Sequence, residues 1–139
     1  MSIKKITIAG IAGGVVYFLL GWLVFGILMK DFYTAHMNNC AMRPETAMIW
    51  WAMIISNLFW AILIAYIFNK WANINTLSAG LSAGFMIFLL LSLAFGLGFY
   101  GFTTMYSDIT GMCVDIVINV VMGTILGGVV GFVLGKVKD

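Results

Sequence analysis

The chain has 139 residues, of which 63% are hydrophobic and only 9% are charged, whereas a soluble domain carries about 25% charged residues. This composition is that of an integral membrane protein with about four spans of roughly 20 residues each, and it leaves no room for a soluble domain. The seven basic and five acidic residues give a net charge of +2, too small and too scattered for the basic surface that nucleic-acid binding requires.

The first predicted span covers residues 6–29, which follow Lys4 and Lys5 and contain no charged residue. At 1.5 Å per residue this run is long enough to cross a hydrocarbon core about 30 Å thick. A cleaved signal peptide is the competing interpretation, but the run is too long and ends in "GILMKDFY", without a small-residue cleavage site. Residues 30–46 then form a predicted outer loop.

Three further spans are predicted, at residues 47–68, 76–99 and 109–135. The second span follows "RPET", in which Pro44 suits the start of a helix and Glu45 or Thr46 can cap its first N–H groups. It ends at the polar connection "NKWANIN". The predicted fold is therefore an all-α membrane protein in which residues 1–139 form one domain of four transmembrane helices.

Basic residues near the ends of the spans predict the orientation of the chain, because cytoplasmic segments carry an excess of lysine and arginine. The side that holds both termini and residues 69–75 contains Lys4, Lys5, Lys70, Lys136 and Lys138, whereas the opposite side contains only Lys30 and Arg43. Both termini are therefore predicted to face the cytoplasm.

The two halves of the chain look like an internal repeat. Residues 8–26 align with residues 78–96 without a gap and are identical at nine of 19 positions, and "IISN" at 54–57 matches "IVIN" at 116–119. Because the first and third spans cross in the same direction, the halves would form a parallel 2+2 repeat. Glycines at four-residue spacing, as in "GTILGGVVG", indicate close packing between helices.

Asp115 is the one charged residue inside a predicted span. We expect it to point into the bundle, because a charged group at the bilayer centre costs about 2.5 to 3.5 kcal/mol, and Asn119 lies one turn further along the same face. The predicted intramembrane polar cluster and its donors comprise Asp115, Asn119, Asn57, Ser92 and Tyr17, with Trp22 as an alternative to Tyr17. A buried ion pair requires that His36 or Arg43 folds in from the outer loop, since no basic residue lies inside a span.

Three interpretations of Asp115 stay open at the level of the sequence. The residue either joins helices through hydrogen bonds, or marks a proton- or cation-coupled pathway, as intramembrane carboxylates often do, or reaches the surface from a shallow position.

The two cysteines, Cys40 and Cys113, lie toward the same predicted outer side, and the topology allows a disulfide between them that would stabilise the fold by roughly 2 to 4 kcal/mol. A soft-metal site is a weaker alternative, because sulfur and imidazole suit copper(I) and this side carries His36, Met37, Cys40, Met42, Met105, Met112 and Cys113. A single histidine supplies no metal-ligand pair, so we expect neither a metal nor a cofactor.

Catalysis is not expected. The chain has no C-x-x-C pair, Walker loop or HExxH motif, and its single histidine removes most general-base schemes.

Three segments carry a resemblance to a known family: "LGWLVFGILMKDF" at the end of the first span, "AILIAYIF" in the second and "DIVINVVMGTILGGVVG" in the fourth. The chain resembles a widespread group of small bacterial four-helix membrane proteins that is catalogued as a domain of unknown function. The resemblance extends over nearly the whole chain except the outer loop "YTAHMNNCAMRPET". It implies a fold and a topology but no activity.

Together these features predict a small non-catalytic protein of the bacterial inner membrane. It would act as a homo-oligomer, as an accessory subunit of a larger membrane complex or as a partner of membrane lipids. The alternative is a proton- or cation-linked permease for a small solute that uses Asp115.

Overall fold

A computed structural model of the chain describes residues 2–38 and 43–138. This part of the chain contains four long helices and one short α-helix, joined by turns and connecting segments. Each of the long helices is long and apolar enough to cross a membrane, which confirms the prediction of a multi-pass all-helical protein. The helices are α1 (Ile3–Leu23, prolonged by a wide π-type turn at Val24–Leu28), α2 (Lys30–His36), α3 (Trp50–Tyr66, prolonged by a second wide turn at Ile67–Ala72), α4 (Leu77–Phe102) and α5 (Ile109–Lys136).

Side-chain caps explain where three of the long helices begin. The hydroxyl of Ser2 accepts a hydrogen bond from the Lys5 N–H at the start of α1, and the hydroxyl of Thr76 accepts one from the Ala79 N–H at the start of α4. Asp108 caps α5 in the same way. Such caps satisfy N–H groups that have no partner within the helix.

Helix α2 lies within the segment that the sequence predicts as an outer loop, and it adds a short helix to that connection. This stretch contains neither glycine nor proline, and its charges suit a helix, with Asp31 in the first turn and His36 in the last. The second span also begins later than predicted. Pro44 precedes a single 3-10 turn at Glu45–Ala47, and α3 starts only at Trp50, without a side-chain cap.

The long helices pack in the spatial order α3, α1, α5, α4. The most extensive contacts join α4 to α5 and α1 to α3, and α1 also lies against α5. Helix α5 is therefore central, and twelve of its residues are buried, compared with three in α3. The core between the helices is apolar and includes Tyr17, Phe68, Phe88 and Leu126.

Glycine lets α4 and α5 come into contact along their backbones. A Cβ atom added at Gly84 would lie 2.7 Å from the carbonyl oxygen of Gly123 and 3.0 Å from the Cα of Gly127. A Cβ at Gly80 would collide with the carbonyl of Gly127. Between α1 and α3 the glycines instead receive side chains, as at Gly14, where an added Cβ would lie 2.6 Å from Leu58 Cδ2.

Two ends of the bundle can be distinguished. The α2 end is formed by α2 and by residues 103–108, which connect α4 to α5. The terminal end is formed by the start of α1, by residues 67–76 and by the end of α5.

Candidate functional site

The carboxylate of Asp115 accepts hydrogen bonds on both oxygens at the α2 end. The hydroxyl of Tyr33, from α2, donates to Oδ1 at 2.8 Å, and the hydroxyl of Tyr106 donates to Oδ2 at 2.6 Å. The amide nitrogen of Asn119 donates to Oδ1 at 3.2 Å and to the backbone oxygen of Asp115 at 2.8 Å. We call these four residues the Asp115 cluster.

Backbone pairing between two connecting segments brings the two tyrosines together. Met37, just after α2, forms an isolated antiparallel bridge with Tyr106. The N–H of Asn38 donates to the Met105 carbonyl at 2.7 Å, and the N–H of Ser107 donates to the His36 carbonyl at 2.9 Å. This pairing places Tyr33 and Tyr106 within reach of the same carboxylate.

A second polar contact joins the end of α2 to the start of α5. His36 Nδ1 lies 2.8 Å from Asp108 Oδ2, and the imidazole stacks on Phe32 with ring centroids 4.2 Å apart. Asp108 Oδ1 also accepts a hydrogen bond from the Gly111 N–H at 2.8 Å. The backbone N–H of Gly111 and, secondarily, the His36 side chain hold the pKa of the Asp108 carboxyl below its ordinary value.

Burial and the hydrogen bonds to Asp115 both raise the pKa of the Tyr33 and Tyr106 hydroxyls, and burial is the larger cause in each case. Because an ordinary tyrosine already has a pKa near 10, both hydroxyls stay protonated at physiological pH. They therefore act as permanent donors to the carboxylate.

An apolar layer lies next to the Asp115 cluster. Met112, Ile116 and Val120 of α5 pack with the ring of Tyr106, and Met37 and Met105 pack against this group. In the part of the chain that the structure describes, the buried side chains are apolar except for the hydroxyls of Tyr17 and Tyr106. The Asp115 cluster therefore borders an apolar part of the bundle.

Of the residues predicted to surround Asp115, the structure brings Asn119 to it and places the others elsewhere. Asn57 donates to the carbonyl of Met53 in its own helix at 2.7 Å. The ring of Tyr17 packs on Phe88 in the core, with centroids 6.1 Å apart. Ser92 lies on α4, and the hydrogen bonds of Asp115 do not include it.

Sequence reasoning missed Tyr33, Tyr106 and Asp108. Tyrosines near the ends of spans are common at membrane interfaces, so the positions of Tyr33 and Tyr106 do not by themselves indicate a site. Asp108 carries a signal that could have identified it, since an aspartate directly before an apolar run is a typical helix cap. His36 does fold in toward α5, as one alternative required, but its partner is Asp108 rather than Asp115.

The predicted disulfide and metal alternatives involve residues that the structure describes only in part. Cys113 is exposed on α5, whereas Cys40 and Met42 lie outside the described residues, so the disulfide stays a prediction. Within residues 2–38 and 43–138, no group of three histidine, cysteine, aspartate or glutamate side chains could hold a metal ion.

An open polar depression adjoins the Asp115 cluster at the same end. It has a volume of about 740 Å³ and includes Tyr106 among its lining residues, which are Met37, Asn38, Tyr100, Thr103, Thr104, Tyr106 and Ser107. The Thr103 hydroxyl is occupied within the chain, since it donates to the Phe99 carbonyl at 2.6 Å.

The geometry of the Asp115 cluster suits attachment rather than chemistry, because its donors come from three separate elements and both carboxylate oxygens already have partners. No family model, curated protein or solved structure matches the chain. The resemblance drawn from the three sequence segments therefore stays a prediction.

Proposed function

We propose that this protein is a non-catalytic multi-pass protein of the bacterial inner membrane that acts through contacts with other membrane components. It would do so as a dimer, as an accessory subunit of a larger assembly or as a lipid-binding partner. The observation that carries the proposal is the outward face of α3. Trp51, Ile55, Phe59 and Leu63 recur there every four residues, and all four are exposed, Trp51 by 69% and Phe59 by 67%.

The α3 face also has a distinct shape. An open groove of about 510 Å³ is lined by these four side chains together with Ala52, Ser56 and Trp60. Lipid tails are as apolar as leucine, so contacts inside a membrane depend on close packing rather than on hydrophobicity. Small side chains between large aromatic ones favour such packing by a second helix or by acyl chains.

The hydrogen bonds that Asp115 accepts within the chain favour this function over the permease alternative. Both oxygens of Asp115 accept hydrogen bonds from the chain itself. Among the described residues, the buried side chains of the core between the helices are apolar apart from the Tyr17 hydroxyl, which does not favour a polar path from Asp115 to the terminal end. A proton or cation pathway needs buried polar groups.

Two further parts of the proposal concern topology. The lysines of the terminal end support a cytoplasmic location for both termini. The parallel repeat is supported by Asn57 and Asn119, which align with each other and each donate to the carbonyl four residues earlier, at 2.7 and 2.8 Å. Gly14 and Gly84 also align, and each lies against the second helix of its own half, which is α3 for Gly14 and α5 for Gly84.

The experiment that tests the function is purification of the full chain from native membranes into lipid nanodiscs, followed by native mass spectrometry. We expect a mass above that of one chain, from a second copy or a co-purified partner, or a set of retained lipids. Ser56→Trp, which fills the α3 groove, should reduce this association. Ala94→Trp is the matched control, because Ala94 is exposed on α4 and lies outside the groove.

A monomer that retains neither protein nor lipid in any of these preparations contradicts the proposal. The permease alternative has its own test, a proton-flux assay on the purified protein in vesicles. If wild-type vesicles carry a flux that Asp115→Asn abolishes, the permease replaces the interaction role.

A further inference from the structure

The terminal end of the bundle has an uneven charge. Lys4, Lys5, Lys70, Lys136 and Lys138 all lie there, and the only acidic residue that the sequence places at this end is the last one, Asp139. At the α2 end the charges are mixed, since Lys30 and Arg43 accompany Asp31, Glu45, Asp108 and Asp115. An end with a clear excess of positive charge favours an anionic partner.

The start of α1 and the end of α3 meet at one corner of this end. The backbone N–H of Ser2 donates to Asn69 Oδ1 at 3.0 Å. Lys4 lies two residues after Ser2, and Lys70 directly follows Asn69. Both lysine side chains are exposed, so both charges are available at the terminal end of the bundle.

Aromatic side chains hold Lys70 in place. Its Nζ donates to the Tyr66 hydroxyl at 2.9 Å and lies 5.3 Å from the centre of the Tyr66 ring. The Tyr66 ring meets the Trp71 ring edge to face, with centroids 5.3 Å apart, and Trp71 is 68% exposed. An ammonium group has three N–H donors, and Tyr66 uses only one of them.

We propose that Lys70, held by Tyr66 beside Trp71, binds the phosphate of an anionic phospholipid headgroup, and that Lys4 at the start of α1 adds positive charge at the same end. This inference rests on the lipid-binding form of the proposed function and names the lipid class. A tryptophan and a tyrosine beside a lysine at the end of an apolar helix match the level of the headgroups. The end of the α3 groove at Leu63 lies within reach of the acyl chains of such a lipid, because Leu63 lies one turn before Tyr66.

The test compares two lipids with identical acyl chains, phosphatidylglycerol and phosphatidylcholine, titrated onto the purified full chain and measured by native mass spectrometry. We expect tighter binding of phosphatidylglycerol. Lys70→Gln and Lys4→Gln should each weaken it about fivefold, the equivalent of about 1 kcal/mol per lysine. Tyr66→Phe keeps the charge but releases the lysine, and should weaken binding by less than Lys70→Gln. Arg43→Gln, the same loss of charge at the α2 end, is the control and should have no effect.

Three results would overturn the inference: equal binding of the two lipids, equal effects of Lys70→Gln and Arg43→Gln, or displacement of phosphatidylglycerol by millimolar inorganic phosphate, which would indicate a site for free phosphate. None of them affects the proposed function as such. A chain that associates with a second copy or another protein but does not distinguish the lipids keeps that function and loses this inference.

Discussion

At the scale of single residues, the Asp115 cluster holds α2 against α5. Tyr33→Phe and Tyr106→Phe each remove one donor to the carboxylate without changing the shape of the ring. Because hydrogen bonds to charged groups contribute more than neutral ones, we expect each change to lower the free energy of unfolding by about 1 to 3 kcal/mol. Thermal unfolding of the purified protein in lipid measures the difference.

Tyr100→Phe is the matched control for both tyrosine variants. Tyr100 is 43% exposed and lies near the same end of the bundle, but its hydroxyl donates to no side chain in the part of the chain that the structure describes. If all three variants unfold at the same temperature, Asp115 does not join α2 to α5 in the way the structure indicates.

Asp108 leads to a prediction about pH. The pKa of this carboxyl is lower in the folded protein than its ordinary value of 3.8, so its ionised form favours folding at higher pH. This contribution is complete above the ordinary pKa and is lost as the pH falls through the lowered value. Asp108→Asn keeps an oxygen that can cap α5 but does not titrate.

We therefore expect wild-type protein to melt at a higher temperature than Asp108→Asn at pH 6, and the difference to decrease as the pH falls below the ordinary pKa of 3.8. Because the two proteins are compared at each pH, the effect of their other acidic groups on the melting temperature is the same in both and drops out of the difference. A difference that is unchanged at pH 3 would show that the Asp108 charge does not contribute.

Sequence reasoning identified the acceptor of the Asp115 cluster but not its main donors. An aspartate in an otherwise apolar run stands out, and its i, i+4 neighbour Asn119 follows from helix geometry. Tyr33, by contrast, lies 82 residues away from Asp115. Which side chain meets a carboxylate over such a separation depends on the path of the connecting segments, and nothing in the local pattern around Tyr33 specifies it.

At the scale of elements, the contact between α4 and α5 leaves no room for a side chain at the glycines that face backbone, which include Gly80, Gly84 and Gly127. Gly84→Ala would place a Cβ atom 2.7 Å from a backbone oxygen of α5, and backbone atoms cannot rotate away as a flexible side chain can. Overpacking of this kind costs about 1 to 3 kcal/mol. We expect that loss in the free energy of unfolding, measured by titration with a denaturing detergent.

Gly98→Ala is the control on the same helix, because an added Cβ there meets no atom within 4 Å. Alanine is favoured over glycine within a helix by roughly 0.5 to 1 kcal/mol, so this variant should be as stable as the wild type or more stable. An equal loss for both glycines would mean that α4 and α5 are not in backbone contact at Gly84.

The long helices could be predicted because each one is an uninterrupted apolar run of sufficient length, and their bounds in the structure lie within a few residues of the predicted ones. Helix α2 could not. It has only seven residues, Lys30–His36, and a helix of that length is not stable on its own. Its stability comes from contacts with residues 105–107 and with Asp115, which local periodicity does not reveal.

At the scale of the whole molecule, we propose that the charge difference between the two ends sets the orientation in which the chain inserts. Five lysines at the terminal end against two basic residues at the α2 end favour a single orientation with both termini in the cytoplasm. The tyrosine and histidine contacts around Asp115 and Asp108 would then face the periplasm. This orientation can be tested without knowledge of any partner.

We expect Thr104→Cys, at the α2 end, to react with a membrane-impermeant maleimide in intact spheroplasts, and Lys138→Cys, at the terminal end, to react only after the membrane is permeabilised. Both changes are made in a background in which Cys40 and Cys113 are serine. If Lys138→Cys reacts in intact spheroplasts and Thr104→Cys does not, the termini face the periplasm and the proposed orientation is wrong. Reaction of both would indicate that the chain inserts in two orientations, and the lysines of the terminal end would then face both leaflets.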